Sequence, residues 1–213
     1  MWVRRFGYGL VTIASLSGCQ VKMPASLGGA KPATETLRFS SSGFEVMAPD
    51  GYCFDTASLR EDTQGSFVLM AACDPLLGHK VASDSSKISF LSVTLTQPLE
   101  ETSEVTAEAL HAHFQAEEAH GVLARSGAAE DITVLWSGVQ DDLFLVHAID
   151  SSRDDAVGVS QDLWRGITLV EGRLLSVSSA QLANTGYMQP ENKSLVLQVV
   201  ESFQSQAVTE AAK

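Results

Sequence analysis

Cys53 and Cys73 stand in two strand-like runs, and a bond between them would confine the chain to a hairpin at that point. The runs are Gly51-Tyr52-Cys53-Phe54 and Ser66 to Cys73, and the connection Ser58–Gly65 is polar and ends in glycine. A hairpin centred near Thr63 sets the two cysteines opposite each other. Directly opposed strand positions hold Cβ atoms about 4.5–5.5 Å apart, a gap that local twist narrows to bridging distance. Closing a loop of about 20 residues would stabilise the fold by roughly 3 kcal/mol in the chain-entropy model. The competing reading is two buried free thiols. A redox-active pair is disfavoured by the absence of C-x-x-C spacing. The compartment decides between them.

That compartment is indicated at the N-terminus. Met1–Arg5 carries two positive charges and no acid, and Phe6 to about Leu16 is apolar. This stretch is shorter than the roughly 20 residues that span a bilayer and has the length of a secretory signal. It closes on Leu16-Ser17-Gly18-Cys19, the pattern of a bacterial lipoprotein lipobox. Cleavage before Cys19 would put diacylglycerol on its thiol, and two or more acyl chains give stable anchoring. An ordinary signal peptide or an amphipathic N-terminal helix is the alternative. In enteric-type bacteria an aspartate after the cysteine holds lipoproteins at the inner membrane. By that resemblance Gln20 points to the periplasmic face of the outer membrane. With Cys19 assigned to lipid, Cys53 and Cys73 are left as a pair, and an oxidising compartment should join them.

Cleavage takes 18 of the 213 residues and leaves 195, enough for one domain. It also removes two of the 14 basic residues and none of the 26 acidic ones, so the formal charge goes from −12 to −14. So acidic a chain repels nucleic acid and anionic headgroups, which excludes nucleic acid as a partner. The remaining membrane contact is the lipid on Cys19.

Four segments follow: residues 1–18 as signal, 19–36 as lipidated cysteine and flexible tether, 37–206 as one folded domain, 207–213 as a frayed tail. The Gly-, Ala-, Pro-rich tether should reach roughly 20–25 Å. Gly43–Ala48 reads as a strand before the Pro49-Asp50-Gly51 turn. Lys87–Gln97 alternates, with Leu91, Val93 and Leu95 on one face. Residues 103–120 have helical period, with Leu110 and Phe114 on the buried stripe and Gly121 as a stop. Two hairpins follow. Ile132–Trp136 turns through Gly138–Asp142 into Leu143–Ile149, and Leu163–Val170 turns at Glu171-Gly172 into Arg173–Ala180. Ser151–Gly158 between them reads as an exposed loop. A last helix starts at Pro190, with Leu195, Val196, Val199, Val200 and Phe203 as its stripe. The sum is an α+β domain, a mainly antiparallel sheet covered by two amphipathic helices.

This order of elements resembles the PsbP-like α/β/α sandwich, the fold of photosystem II PsbP and of DcrB-type envelope lipoproteins. The likeness rests on the extended Gly43–Asp50 opening, the helix after Lys87–Gln97, the two hairpins and the closing helix ending Val199-Val200-Glu201-Ser202-Phe203. It covers about residues 40–205. Gly51–Asp55 with Phe67–Met70 and Cys73 also resembles exported proteins of alphaproteobacteria. The resemblance implies a protein that binds or assists other envelope proteins and does not catalyse.

Candidate chemistry is sparse. His113, Glu117 and His120 would share one side of a continuous helix, and imidazole and carboxylate suit zinc. Their spacing is not H-E-x-x-H, and no fourth ligand is evident. They support the alternative function, a lipid-anchored hydrolase or metal-binding protein. His111 lies on another helix face and His147 in a strand. Trp136-Ser137-Gly138 lacks the leading glycine of a nucleophile elbow. A bonded Cys53 is no nucleophile. Asp141-Asp142 and Asp154-Asp155 lack the alternating ligands of a calcium loop and read as solvated turns. Gly28-Gly29 falls in the tether. Trp136 and Trp164 read as core or sheet-face aromatics. The sequence thus assigns Cys19 to lipid and Cys53 with Cys73 to a bridge, and no catalytic, cofactor or metal residue.

Overall fold

The computed structural model describes residues 33–79, 89–100, 105–153, 159–182 and 190–211. Cys19, Gln20, Gly28-Gly29 and Asp154-Asp155 lie outside them, as does the signal segment. Among the described residues there are ten strands: β1 (Ala33–Thr34), β2 (Thr36–Arg38), β3 (Glu45–Met47), β4 (Tyr52–Asp62), β5 (Gly65–Ala72), β6 (Ser89–Thr96), β7 (Ile132–Gln140), β8 (Leu143–Asp150), β9 (Val159–Val170) and β10 (Arg173–Leu182). The helices are α1 (Cys73–Leu76), α2 (Ala107–His113) and α3 (Pro190–Ala211). Eight strands form an antiparallel sheet in the order β1-β4-β5-β6-β10-β9-β8-β7, and β2 with β3 forms a separate ribbon. The architecture is α+β, as expected.

Alternation decides which face each strand buries. Leu91, Val93 and Leu95 of β6 are buried with Val68 and Met70 of β5 and Leu175 and Val177 of β10. Over them lie α3, through Val196, Val199, Val200 and Phe203, and the β2–β3 ribbon, through Phe39, Phe44 and Val46. Each such side chain, fully buried, stabilises by about 1.5–3 kcal/mol. The opposite face carries a smaller cluster at the β7–β9 end. There Phe114 stacks on Phe144 with ring centroids 5.0 Å apart, beside Val146, Ala148 and Leu163. Strand β8 is therefore apolar on both faces, Leu143 and Leu145 toward α3 and Phe144 and Val146 toward α2.

Several boundaries differ from expectation. The chain enters the sheet at Ala33, inside the stretch read as tether, and α3 continues to Ala211. The connections read as Ser58–Gly65 and Gly138–Asp142 shrink to Thr63-Gln64 and Asp141-Asp142, because polar residues on the exposed side of a strand resemble a loop. Glu171-Gly172 is a two-residue turn as expected, with φ of 49° and 73°, the positive pair that matches strand twist.

The single helix expected over 103–120 is broken. Thr106 caps α2 by accepting from the Ala109 N–H, and the helix ends at His113. Ala116 is extended, and Glu117–Val122 forms a 3₁₀ turn that contains Gly121. The break lets both Phe114 and Leu123 reach the core, which one straight helix over these residues would not.

Candidate functional site

The disulfide is present, with sulfurs 2.05 Å apart and Cα atoms 4.9 Å apart. Its register differs from the simple hairpin. Cys53 faces Ala71 and Tyr52 faces Ala72, while Cys73 opens α1 and donates its N–H to the Gly51 carbonyl. Extra residues between Asp55 and Arg60 of β4 shift the ladder, so the turn end and the cysteine end have different centres. Glu35 lies beside the two sulfurs. With both sulfurs bonded to each other, the group offers no thiolate for a metal.

His113, Glu117 and His120 are not brought to one face, because α2 stops between the first and the second. His113 and Glu117 are exposed, and His113 sits edge-on to Phe114. The His120 Nε2–H donates to the Phe114 carbonyl at 3.0 Å, a bond that holds the turn where the helix ends. His111 stacks on Phe144. The premise of the hydrolase or metal reading, three ligands on one helical side, is thus corrected by the break at Phe114.

The broken helix instead builds a groove. Glu117, Glu118 and His120 from the 3₁₀ turn face Glu130 and the β7 residues Ile132, Thr133 and Val134 across an open cavity of about 610 Å³. Three carboxylates line it, alongside the sheet's last strand.

A fixed ion network holds the loop behind this groove. Asp150, 0% exposed, accepts from the Arg125 and Ser152 N–H groups, the Ser152 hydroxyl and Arg153 Nε. Burial pushes its pKa up, but these hydrogen bonds outweigh burial and hold it below the ordinary carboxylate value. Arg165 donates to the Val122 carbonyl and to Ser178, tying β9 to the 3₁₀ turn. Burial, aided by Arg153, brings its pKa down to about 10.

On the other face of the same edge lies an aromatic row. Trp136, His147, Trp164 and Ser179 are successive cross-strand partners on β7, β8, β9 and β10. His147 stacks flat on Trp164 with centroids 4.6 Å apart, and the Trp136 ring lies 5.7 Å from Trp164. The His147 Nε2–H donates to Asp162 at 2.9 Å. Lys193, from the first turns of α3, sets its ammonium 5.1 Å from the Trp136 ring and 5.7 Å from that of Trp164. Trp164 packs against the core, as the sequence suggests, but Trp136 is 43% exposed.

Leu135 explains Trp136. Val134 pairs with Ala148 and Trp136 with His147, so Leu135 is the extra residue of a bulge. Were Leu135 paired in strict alternation, Trp136 would share the face of Val134, the α2 side. With the bulge, Leu135 and Trp136 are both exposed, at 49% and 43%. Bulges re-aim side chains in this way beside functional sites. Gly138 makes room for the ring: a Cβ there would stand 2.8 Å from Trp136 Cζ2. The W-S-G triplet is therefore a packing device, not a degraded nucleophile elbow. Period-2 reading finds the strand but not the bulge, so this site is missed from sequence.

No protein-family model matches the chain, and no curated protein matches it. Among solved structures it is similar in fold to the solution structure of cyanobacterial PsbP (CyanoP) from Synechocystis sp. PCC 6803. The two are 14% identical, with 85% of this chain and 96% of that one covered and a TM-score of 0.42.

Proposed function

We propose that this chain is a lipid-anchored, extracytoplasmic protein of non-enzymatic type that binds or assists envelope proteins. The lipobox ending at Cys19 supports the anchor, Gln20 the outer membrane, and the Cys53–Cys73 bridge an oxidising compartment. The observation that carries the binding reading is the β7 edge, where Leu135 and Trp136 are exposed side by side. Large aromatics re-aimed toward solvent are frequent anchors of protein contacts.

Strand order adds an orientation. The lipid-bearing end enters through β1 at one edge of the sheet, and β7 lies at the other, seven strand spacings or roughly 30 Å away. A protein tethered by its β1 end presents β7 away from the attachment point.

The test is affinity capture from detergent-solubilised envelopes with the wild-type chain and with Trp136→Ser. The proposal expects one or more envelope proteins to be captured by the wild type and at least tenfold less by the variant. Equal capture by both would remove the β7 edge from the function.

A further inference from the structure

Resting on that reading, we infer that β7 accepts an extended, basic segment of another protein as an added strand. Nine residues, Ile132–Gln140, form this edge with neither a charge nor a proline. Exposed edges are normally blunted by charge, proline, a bulge or a cover. Of these β7 has, among the described residues, only the bulge at Leu135, which leaves Trp136–Gln140 in an unbroken ladder. The opposite edge follows that rule: β4 carries Asp55, Arg60, Glu61 and Asp62 and is partly covered by β1. Among the described residues nothing pairs with the outer side of β7.

Side chains of an added strand alternate between the two faces. On one face they would meet Glu117, Glu118 and Glu130, and on the other the Trp136 shelf. The matching segment alternates Lys or Arg with apolar or aromatic residues. A second copy of the chain fits poorly. Its formal charge is −12, and self-pairing would bring like carboxylates to the same edge.

The test uses the full chain in detergent and three acetylated ten-residue peptides. The first alternates Lys with Val, the second is the same peptide N-methylated at every amide so that neither edge can donate, and the third has Glu in place of Lys. Strand addition predicts that only the first binds, slows amide exchange along β7 at least tenfold, and weakens with added salt. The combined Glu117→Gln, Glu118→Gln and Glu130→Gln variant should bind it at least tenfold more weakly. Thr133→Lys, an exposed change that puts charge on the edge, should do the same while leaving the thermal midpoint in place. Equal binding of the methylated peptide would overturn strand pairing, and equal binding of the acidic peptide would overturn the charge match. Protection of β7 without peptide, at twice the monomer mass, would assign the edge to a second copy and overturn the inference. If no peptide binds while Trp136-dependent envelope capture persists, strand addition is wrong and the binding function stands. If both fail, both fall.

Discussion

Trp136 and His147 face each other across β7 and β8 because Leu135, not Trp136, is the residue left out of the ladder. Trp136→Ala should cost only about 1 kcal/mol, the worth of an aromatic pair at a half-open site. Deleting Leu135 closes the ladder with Trp136 still opposite His147, so the indole should keep its face and the change should cost no more than about 1–2 kcal/mol. Urea melts of the two variants rank them. A deletion far more costly than the alanine change would contradict a ladder in which Leu135 is the residue left out.

The disulfide joins β4 to the first residue of α1. Protein purified from the envelope should show no thiol at Cys53 or Cys73 until it is reduced. Replacing both by Ser should lower stability by about 2–5 kcal/mol. Quantitative alkylation of both cysteines without reductant would contradict the pairing.

Asp150 gives the fold a pH dependence of known sign. Its pKa is depressed in the folded chain. The stability it contributes is therefore fully present above its unfolded value, about 4, and is lost as pH falls through the lower folded value. Asp150→Asn should cost about 3 kcal/mol at pH 7, because Arg153 and the Ser152 and Arg125 donors lose a buried acceptor charge. Denaturant melts between pH 2 and 7 should show a shallower acid slope in the variant. An unchanged slope would remove Asp150 from the acid response.

Cys19→Ser tests the anchor. Metabolic labelling with a radioactive fatty acid should mark the wild type and not the variant, which either leaves the membrane fraction or stays held by an uncleaved signal. Normal acylation of the variant would refute lipidation at this residue.

Alternation of period two was readable in Leu91, Val93 and Leu95, and the α3 stripe from Leu195 to Phe203 was equally plain. Both are set by burial on one face, which sequence records directly. The Glu171-Gly172 turn was readable because its backbone demands a particular residue. The break at Phe114 was not, since residues 107–122 keep helical spacing and only the demand to bury both Phe114 and Leu123 interrupts it. The candidate site was illegible for a related reason. Because Leu135 is left unpaired, Trp136 lies on the face opposite to Val134, where strict alternation puts it on the same one, and nothing in the composition of the strand marks this.

The account turns on β7 being a contact edge in the cell, and site-specific photo-crosslinking reads that directly. A benzoylphenylalanine replaces Leu135 in one strain and exposed Glu201 of α3 in another, and intact cells are irradiated. The account predicts a discrete adduct with an envelope protein from position 135 and none from position 201. Adducts of equal yield at both positions, or none at 135 with the protein folded and anchored, would contradict it.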